Sequence, residues 1–245
     1  MSTREPVLVA STDRVLQVLA VLAQQGRVLS AQDLMTHTGL PRSTLYRQLA
    51  RLKHWGFVLE TEGGYAPGPL SLQLALGFDL SSHLVRLAHP GMVALARQSH
   101  ESVGLIVAVN DSAVCLDMVE SELSLRCSFE KGRSVPLRAG ASAKCLLAYL
   151  PEAHHNALLQ LRYAHADARK VAGDERAAIR KAGYAMSAGE VDAGVWGVSV
   201  PLFGVARQAV GALTLMAPIM RAQGQESALT DMAVVAAARI SRGLS

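Results

Sequence analysis

Apolar residues near the N-terminus are spaced three or four positions apart, as on one face of a helix. Three such helices are predicted, over residues 12–24, 30–39 and 41–55. Alternation of apolar and polar residues then predicts a small β-hairpin over 57–66, with its turn at 62–64. Two short helices around a tight turn, followed by a hairpin, form the pattern of a winged helix-turn-helix.

Beyond Pro69 the pattern changes twice. Leucine-rich helical spacing predicts a long helix from Leu70 to His89, which Pro90 interrupts before a second helix over 92–99. Short apolar runs bounded by turn residues then predict strands at 103–109, 113–119, 125–129, 184–187, 195–201 and 209–216. Further helices are predicted at 142–149, 152–161, 174–182 and 227–242. A sheet with interposed helices and a closing helix indicates an α+β sensory-type domain.

Charge on the third predicted helix is of one sign. No acidic residue occurs between Leu34 and Leu59, but several cations do. Hydroxyl and guanidinium groups near the start of a helix can reach base edges in the major groove. The predicted base-contacting residues are Arg42, Ser43, Thr44, Tyr46 and Arg47. Farther along, Arg51 and Lys53 are predicted to hold phosphates. A solvated helix face is the default for any one such helix, but four cations without an acid favour DNA binding.

Composition sets broader bounds. The 245 residues suffice for one or two domains, half of them are apolar, and the formal net charge of +4 permits an anionic partner. No run approaches the roughly 18 apolar residues of a membrane helix, and the N-terminus shows no export signal, so a cytoplasmic location without membrane association is expected. Three widely spaced cysteines suggest neither a disulfide framework nor a zinc site, and they are expected to be buried small hydrophobes.

Two motifs carry a family resemblance. The phrases G-R-S-V-P-L-R-A-G-A-S-A-K-C-L-L-A over 132–148 and G-E-V-D-A-G-V-W-G-V-S-V-P-L-F over 189–203 follow the predicted DNA-binding module. The chain therefore resembles the IclR family of bacterial transcriptional regulators. The resemblance implies an α+β fold with a winged helix-turn-helix over 1–68, a linker helix over 69–88 used in dimerisation, and a GAF-like effector-binding domain over 89–245. It also implies a homodimer or a dimer of dimers on palindromic double-stranded DNA operators, often controlling catabolic genes.

A carboxylate site is predicted where the first motif enters a helix. Gly140 precedes that helix, so backbone N–H groups near Ala141 and Ser142 lie at its positive end. A plain helix start is the alternative interpretation. With the resemblance added, the predicted effector-binding residues are Met118, Phe129, Gly140, Ala141, Ser142, Ser187, Trp196, Gly197, Thr214 and Met216. Glycine and methionine replace polar residues of members that bind very small acids, which predicts a more apolar pocket and a larger or aromatic acid. Met118 and Phe129 stand at the ends of predicted strands, and ordinary core packing is the favoured interpretation for both.

Catalysis is not predicted. Ser142 and Lys144 are two residues apart on a helix and do not face each other. His154 and His155 are adjacent and lack the spacing of a metal site, so no metal or other cofactor is expected. The alternative function is a metabolite-binding or catalytic α+β domain whose N-terminal module makes only protein contacts. The sequence leaves open the effector, the target genes and the choice between repression and activation.

Overall fold

The computed structural model describes residues 11–163 and 165–244, and they form two compact units that divide between Ser82 and His83. The first ten residues of the predicted DNA-binding domain, and with them the predicted absence of an export signal, lie outside the described residues. Across the described ranges, no helix has both the length and the apolar character needed to cross a bilayer.

The first unit is a three-helix module with a hairpin and one further helix. A reciprocal capping box starts the second helix: the Ser30 hydroxyl accepts from the Asp33 N–H, and the Asp33 carboxylate accepts from the Ser30 N–H. Leucines and valines of the first three helices, with Leu29 and with Val58 and Tyr65 of the hairpin, make up the core. The elements are α1 (Ser11–Gln25), α2 (Ala31–Thr38), α3 (Arg42–His54), β1 (Val58–Thr61), β2 (Gly64–Pro67) and α4 (Pro69–Ser81).

The hairpin is the predicted wing. Tyr65 forms an additional bridge to Leu29, so the wing is anchored to the segment before α2. Gly64 makes this approach possible, because its φ is +134° and a Cβ placed there would lie 2.2 Å from the Leu29 carbonyl oxygen.

The second unit is built on one antiparallel sheet. Its strands are β3 (Ser102–Val109), β4 (Ser112–Val119), β5 (Ser134–Pro136), β6 (Ala185–Ala188), β7 (Val195–Phe203) and β8 (Ala209–Pro218). Its helices are α5 (His83–Ser99), α6 (Ala141–Tyr149), α7 (Glu152–Arg162), α8 (Ala166–Ala182), α9 (Ile219–Ala222) and α10 (Glu226–Leu244). The strand order is β5-β4-β3-β8-β7-β6. One face of the sheet packs against α5 and α10, and the other packs against α6.

The long helix predicted from Leu70 to His89 is wrong in its continuity. The chain leaves the helical conformation at Ser82, whose ψ is 100° and whose N–H donates to the Phe78 carbonyl. Serine competes with helical hydrogen bonding, which favours a break of this kind. Pro90 instead lies inside α5, where it removes one intrahelical donor without ending the helix.

The strand predicted over 125–129 is also wrong. The segment is irregular, and the edge position beside β4 is filled by Ser134–Pro136. Polar contacts hold the irregular segment, since Glu120 accepts hydrogen bonds from both Arg126 and Ser128. A short apolar run does not by itself specify a strand partner.

Candidate nucleic-acid interface and effector cavity

The outward face of α3 presents the predicted DNA-reading side chains. Leu45, Leu49 and Leu52 are buried on the inner face. Thr44 is half-buried and flanks the outer face. The exposed residues of the predicted set are Arg42, Ser43, Tyr46, Arg47, Arg51 and Lys53.

The cations of this face differ in their partners. The Arg42 guanidinium lies 5.6 Å from the centroid of the Tyr46 ring, a cation–π contact between two exposed side chains. Within the described part of the chain, Arg42, Arg47 and Arg51 have no acidic partner. These three arginines are therefore available to an external anion.

Lys53 differs because its ammonium is paired with Glu60 of the wing. Glu60 also accepts a hydrogen bond from the Tyr65 hydroxyl at 3.2 Å. The Lys53 hydrogen bond is the main cause that lowers the pKa of the Glu60 carboxyl. A phosphate contact by Lys53 thus requires that the ammonium be shared with, or released from, Glu60.

In the second unit, the N-terminus of α6 holds a carboxylate from another part of the chain. The Gly140 N–H donates to the Glu190 carboxylate at 3.0 Å, and the Lys144 ammonium donates to its other oxygen at 2.5 Å. The Ala141 N–H donates to the Ser187 hydroxyl at 2.9 Å. The first intrahelical bond runs from the Lys144 N–H to the Gly140 carbonyl, so these amides have no partner further back in the helix.

A cavity of about 40 Å³ lies beside this helix start. It is bounded by the first turn of α6, by β7 and β8, and by the loop between β6 and β7. Its lining residues are Phe129, Val135, Ala139, Gly140, Ala141, Ser142, Ala143, Ser187, Glu190, Val191, Asp192, Val195, Gly197, Thr214 and Met216.

Hydroxyl groups form one wall of the cavity. Thr214 Oγ1 lies 3.3 Å from Ser142 Oγ and 2.9 Å from Ser199 Oγ. Ser199 is fully buried and Thr214 is 2% exposed. A polar group on a ligand would meet hydroxyls that can both donate and accept.

Electrostatics favours an anion at this position. Burial raises the pKa of the Glu190 carboxyl, but the hydrogen bonds from Lys144 and Gly140 outweigh it, so the net shift is downward. Burial by itself would lower the pKa of the Lys144 ammonium. The interactions with Glu190 and Glu175 outweigh burial, so the pKa is raised. The helix start therefore stabilises the charged form of a carboxylate.

The structure brings together eight of the ten predicted effector residues. Trp196 does not line the cavity: it is 6% exposed and packs on the α5 and α10 side of the sheet. Adjacent strand residues point to opposite faces, so Gly197 lines the cavity and Trp196 cannot. Met118 packs in the core beside α6, where its sulfur lies 3.5 Å from a Cβ placed at Gly104, and it is not part of the cavity wall.

Sequence reasoning missed Glu190 and the role of Lys144. Glu190 stands in the second motif, and Lys144 stands two residues after Ser142 in the first. Complementary charge between the motifs was the available signal. Ser142 and Lys144 have different partners, the Thr214 hydroxyl and the Glu190 carboxylate.

Two family profiles match the chain. The profile described as the IclR helix-turn-helix domain covers residues 11–62, and the one described as bacterial transcriptional regulator IclR C-terminal covers residues 80–242. The chain belongs to the IclR family. As an IclR-family member with this helix-turn-helix, it is a DNA-binding transcriptional regulator.

Relatives of this IclR-family chain agree in extent and in fold. The transcriptional repressor IclR of Escherichia coli (strain K12) is 27% identical over 223 residues, which is 87% of this chain and 81% of that protein. The crystal structure of an IclR family transcriptional regulator from Brucella abortus has a TM-score of 0.82 at 23% identity, covering 98% of this chain and 95% of that one.

An IclR homolog from Microbacterium hydrocarbonoxydans, crystallised in complex with 4-hydroxybenzoate, has a TM-score of 0.71 at 20% identity, covering 96% of this chain and 99% of that one. At these identities the solved structures show the shared fold, a helix-turn-helix domain followed by an α+β domain.

Proposed function

We propose that this regulator reads a palindromic operator as a homodimer or a dimer of dimers, and that a small carboxylate bound in the second unit alters its operator affinity. Operator binding is supported by the outward face of α3, where three arginines lack an acidic partner among the described residues. Arg42, Ser43, Thr44, Tyr46 and Arg47 contact bases in this proposal. Arg51 contacts phosphate, and Lys53 does so when it leaves Glu60.

Binding of a carboxylate effector is supported by the helix start at Gly140 and Ala141, which already holds a carboxylate beside a cavity. The effector-binding residues in this proposal are Phe129, Gly140, Ala141, Ser142, Ser187, Gly197, Thr214 and Met216. The 4-hydroxybenzoate complex of the Microbacterium homolog supports an aromatic acid as one candidate class.

In this proposal the first compact unit binds the operator in the cytoplasm, the predicted linker region 69–88 spans α4 and the start of α5, and the second unit binds the effector. The effector shifts the dimer between two arrangements, and operator affinity changes by the ratio of the effector's affinities for them. Control of catabolic genes would follow if the effector is a substrate or product of the enzymes they encode.

Operator selection followed by binding measurements tests the proposal. We expect sequence-specific affinity that falls steeply as salt rises, because phosphate contacts release counterions. An acid from an aromatic and short aliphatic panel should change that affinity. Binding that is insensitive to salt and shows no preference over competitor DNA would instead favour a module for protein contacts.

A further inference from the structure

The cavity beside α6 is too small for the ligand that the proposed function requires. It measures about 40 Å³, whereas sites for organic ligands enclose roughly 300–1,000 Å³. An acid with more than a few carbon atoms can enter only if one wall moves.

The loop between β6 and β7 forms the wall that lies over the start of α6. Gly189 and Gly194 stand at its ends with φ of +67° and +86°, conformations that glycine adopts without strain. Between them, Glu190 and Val191 close over the start of α6, where a Cβ added to Gly140 would lie 2.8 Å from a Val191 methyl group. Among the described residues, the hydrogen bonds between this exposed loop and the start of α6 are those that the Glu190 carboxylate accepts.

A second, larger cavity adjoins the same wall. It measures about 580 Å³ and lies between the irregular segment after β4 and the end of β8. Apolar groups such as Leu125, Ile219 and Met220 face it. Both cavities are lined by the same four residues, Phe129, Asp192, Val195 and Met216.

We propose that Glu190 is an internal competitor of the effector. The acid displaces the Glu190 carboxylate from the Gly140 N–H and the Lys144 ammonium, and the loop between Gly189 and Gly194 turns outward. The partition between the cavities then opens, and the apolar body of the ligand occupies the larger one. The effector class is therefore a monocarboxylate with a bulky apolar body. This inference rests on the proposed function, because it concerns the same site.

Chemical rescue of Glu190→Ala tests the displacement. Loss of the carboxylate should lower the Tm by about 5 °C, because charge-assisted hydrogen bonds are lost. Acetate at millimolar concentration should restore most of that loss with a saturable dose response, and neutral acetamide should not. Acetate should leave the wild-type Tm unchanged, since Glu190 occupies the site.

Glu60→Ala is the matched control. It also removes a glutamate whose carboxylate is hydrogen-bonded and paired with a lysine, here Lys53, but Glu60 belongs to the first compact unit. Acetate should not rescue this variant. Equal effects of acetate and acetamide on Glu190→Ala, or equal rescue of both variants, would overturn the proposal.

Ligand size tests the second cavity. We expect 2-naphthoate to bind Glu190→Ala roughly tenfold more tightly than wild type, because the competing state is removed, and the amide 2-naphthamide to gain nothing. Met220→Glu changes a side chain that is 87% exposed. Added to Glu190→Ala, it should weaken the binding of 2-naphthoate several-fold and leave the rescue by acetate unaffected. Equal naphthoate affinity for wild type and Glu190→Ala would refute displacement, and an affinity unchanged by the added Met220→Glu would refute the second cavity.

Operator binding separates this inference from the proposed function. If rescue and the naphthoate gain occur but no acid alters operator affinity, effector control fails and the competitor role of Glu190 stands. If acids alter operator affinity but Glu190→Ala is not rescued, the competitor role fails and effector control stands.

Discussion

Arg47 lies on the exposed face of α3 without an acidic partner in the described part of the chain, so its substitution should directly affect DNA recognition. Arg47→Ala should reduce discrimination between operator variants at one base position by about 1–3 kcal/mol, because a paired guanine contact is lost. Competition binding with single-base variants measures this. Arg27→Ala, which removes an exposed arginine outside α3, should leave the ranking intact. An unchanged ranking for Arg47→Ala would remove it from base reading.

Gln48 is a polar residue on the buried side of α3. Its side chain is fully buried, and neither amide atom has a hydrogen-bond partner among the described residues. Gln48→Leu should therefore raise the free energy of unfolding by about 1–3 kcal/mol, because two unsatisfied polar groups are removed.

Gln17 supplies the contrast for that experiment. Its amide donates to the Thr38 carbonyl at 2.9 Å, so Gln17→Leu should lower the free energy of unfolding by about 0.5–1.5 kcal/mol. Denaturant unfolding of both variants measures the difference. Destabilisation by Gln48→Leu would indicate that its amide is satisfied in solution.

At the scale of elements, α4 is unusual because its apolar residues are exposed. Leu72, Leu74, Leu76 and Phe78 are 63%, 59%, 57% and 45% exposed within one chain. An apolar surface of this kind marks an interaction site, and the family resemblance implies that it serves dimerisation.

Leu72→Lys combined with Leu76→Lys should weaken the proposed dimer at least tenfold, because the two positions are one helical turn apart and share a face. Sedimentation at micromolar concentration measures the dissociation. Val205→Lys, at a residue 76% exposed in the second unit, is the control and should not change it. A double variant that remains fully dimeric would place the interface elsewhere.

At the scale of the whole molecule, the contact between Glu190 and α6 joins parts of the chain about 50 residues apart. The pKa of Glu190 is lowered in the folded state. Its contribution to stability is therefore present above the ordinary pKa of a glutamate, about 4.3, and is lost as the pH falls through the lower, folded value. The pKa of Lys144 is raised, so its contribution is full at neutral pH and is lost only as the pH rises through that raised value.

A comparison of wild type with Glu190→Gln measures how much stability the Glu190 carboxylate loses as the pH falls. The difference in unfolding free energy should be constant from about pH 6 to 8, and it should shrink as the pH falls through the lowered pKa of Glu190, because the protonated carboxyl is then neutral like the glutamine amide. Chemical denaturation at each pH measures it. In a Lys144→Met background the difference should be smaller throughout. A difference that grows as the pH falls would contradict the downward shift of the Glu190 pKa.

The sequence by itself determined the family, the order of most elements and much of the cavity wall. Helical periodicity, the Ser30 cap and one-signed charge are local properties, and they placed α3 and its exposed arginines correctly. The three cysteines are buried, as expected for small hydrophobic residues. The alternation of side chains along β7 is also a local property. It would have predicted that Trp196 and Gly197 point to opposite faces of the sheet.

Only the tertiary structure decided the rest. The pairing of Glu190 with Gly140 and Lys144 depends on where the loop after β6 crosses the sheet, which no local pattern encodes. The irregular path of residues 125–129 depends on which segment takes the edge of β4. Long-range contacts thus decided that the carboxylate site is already filled, because the complementary charges of the two motifs do not by themselves specify which residues meet.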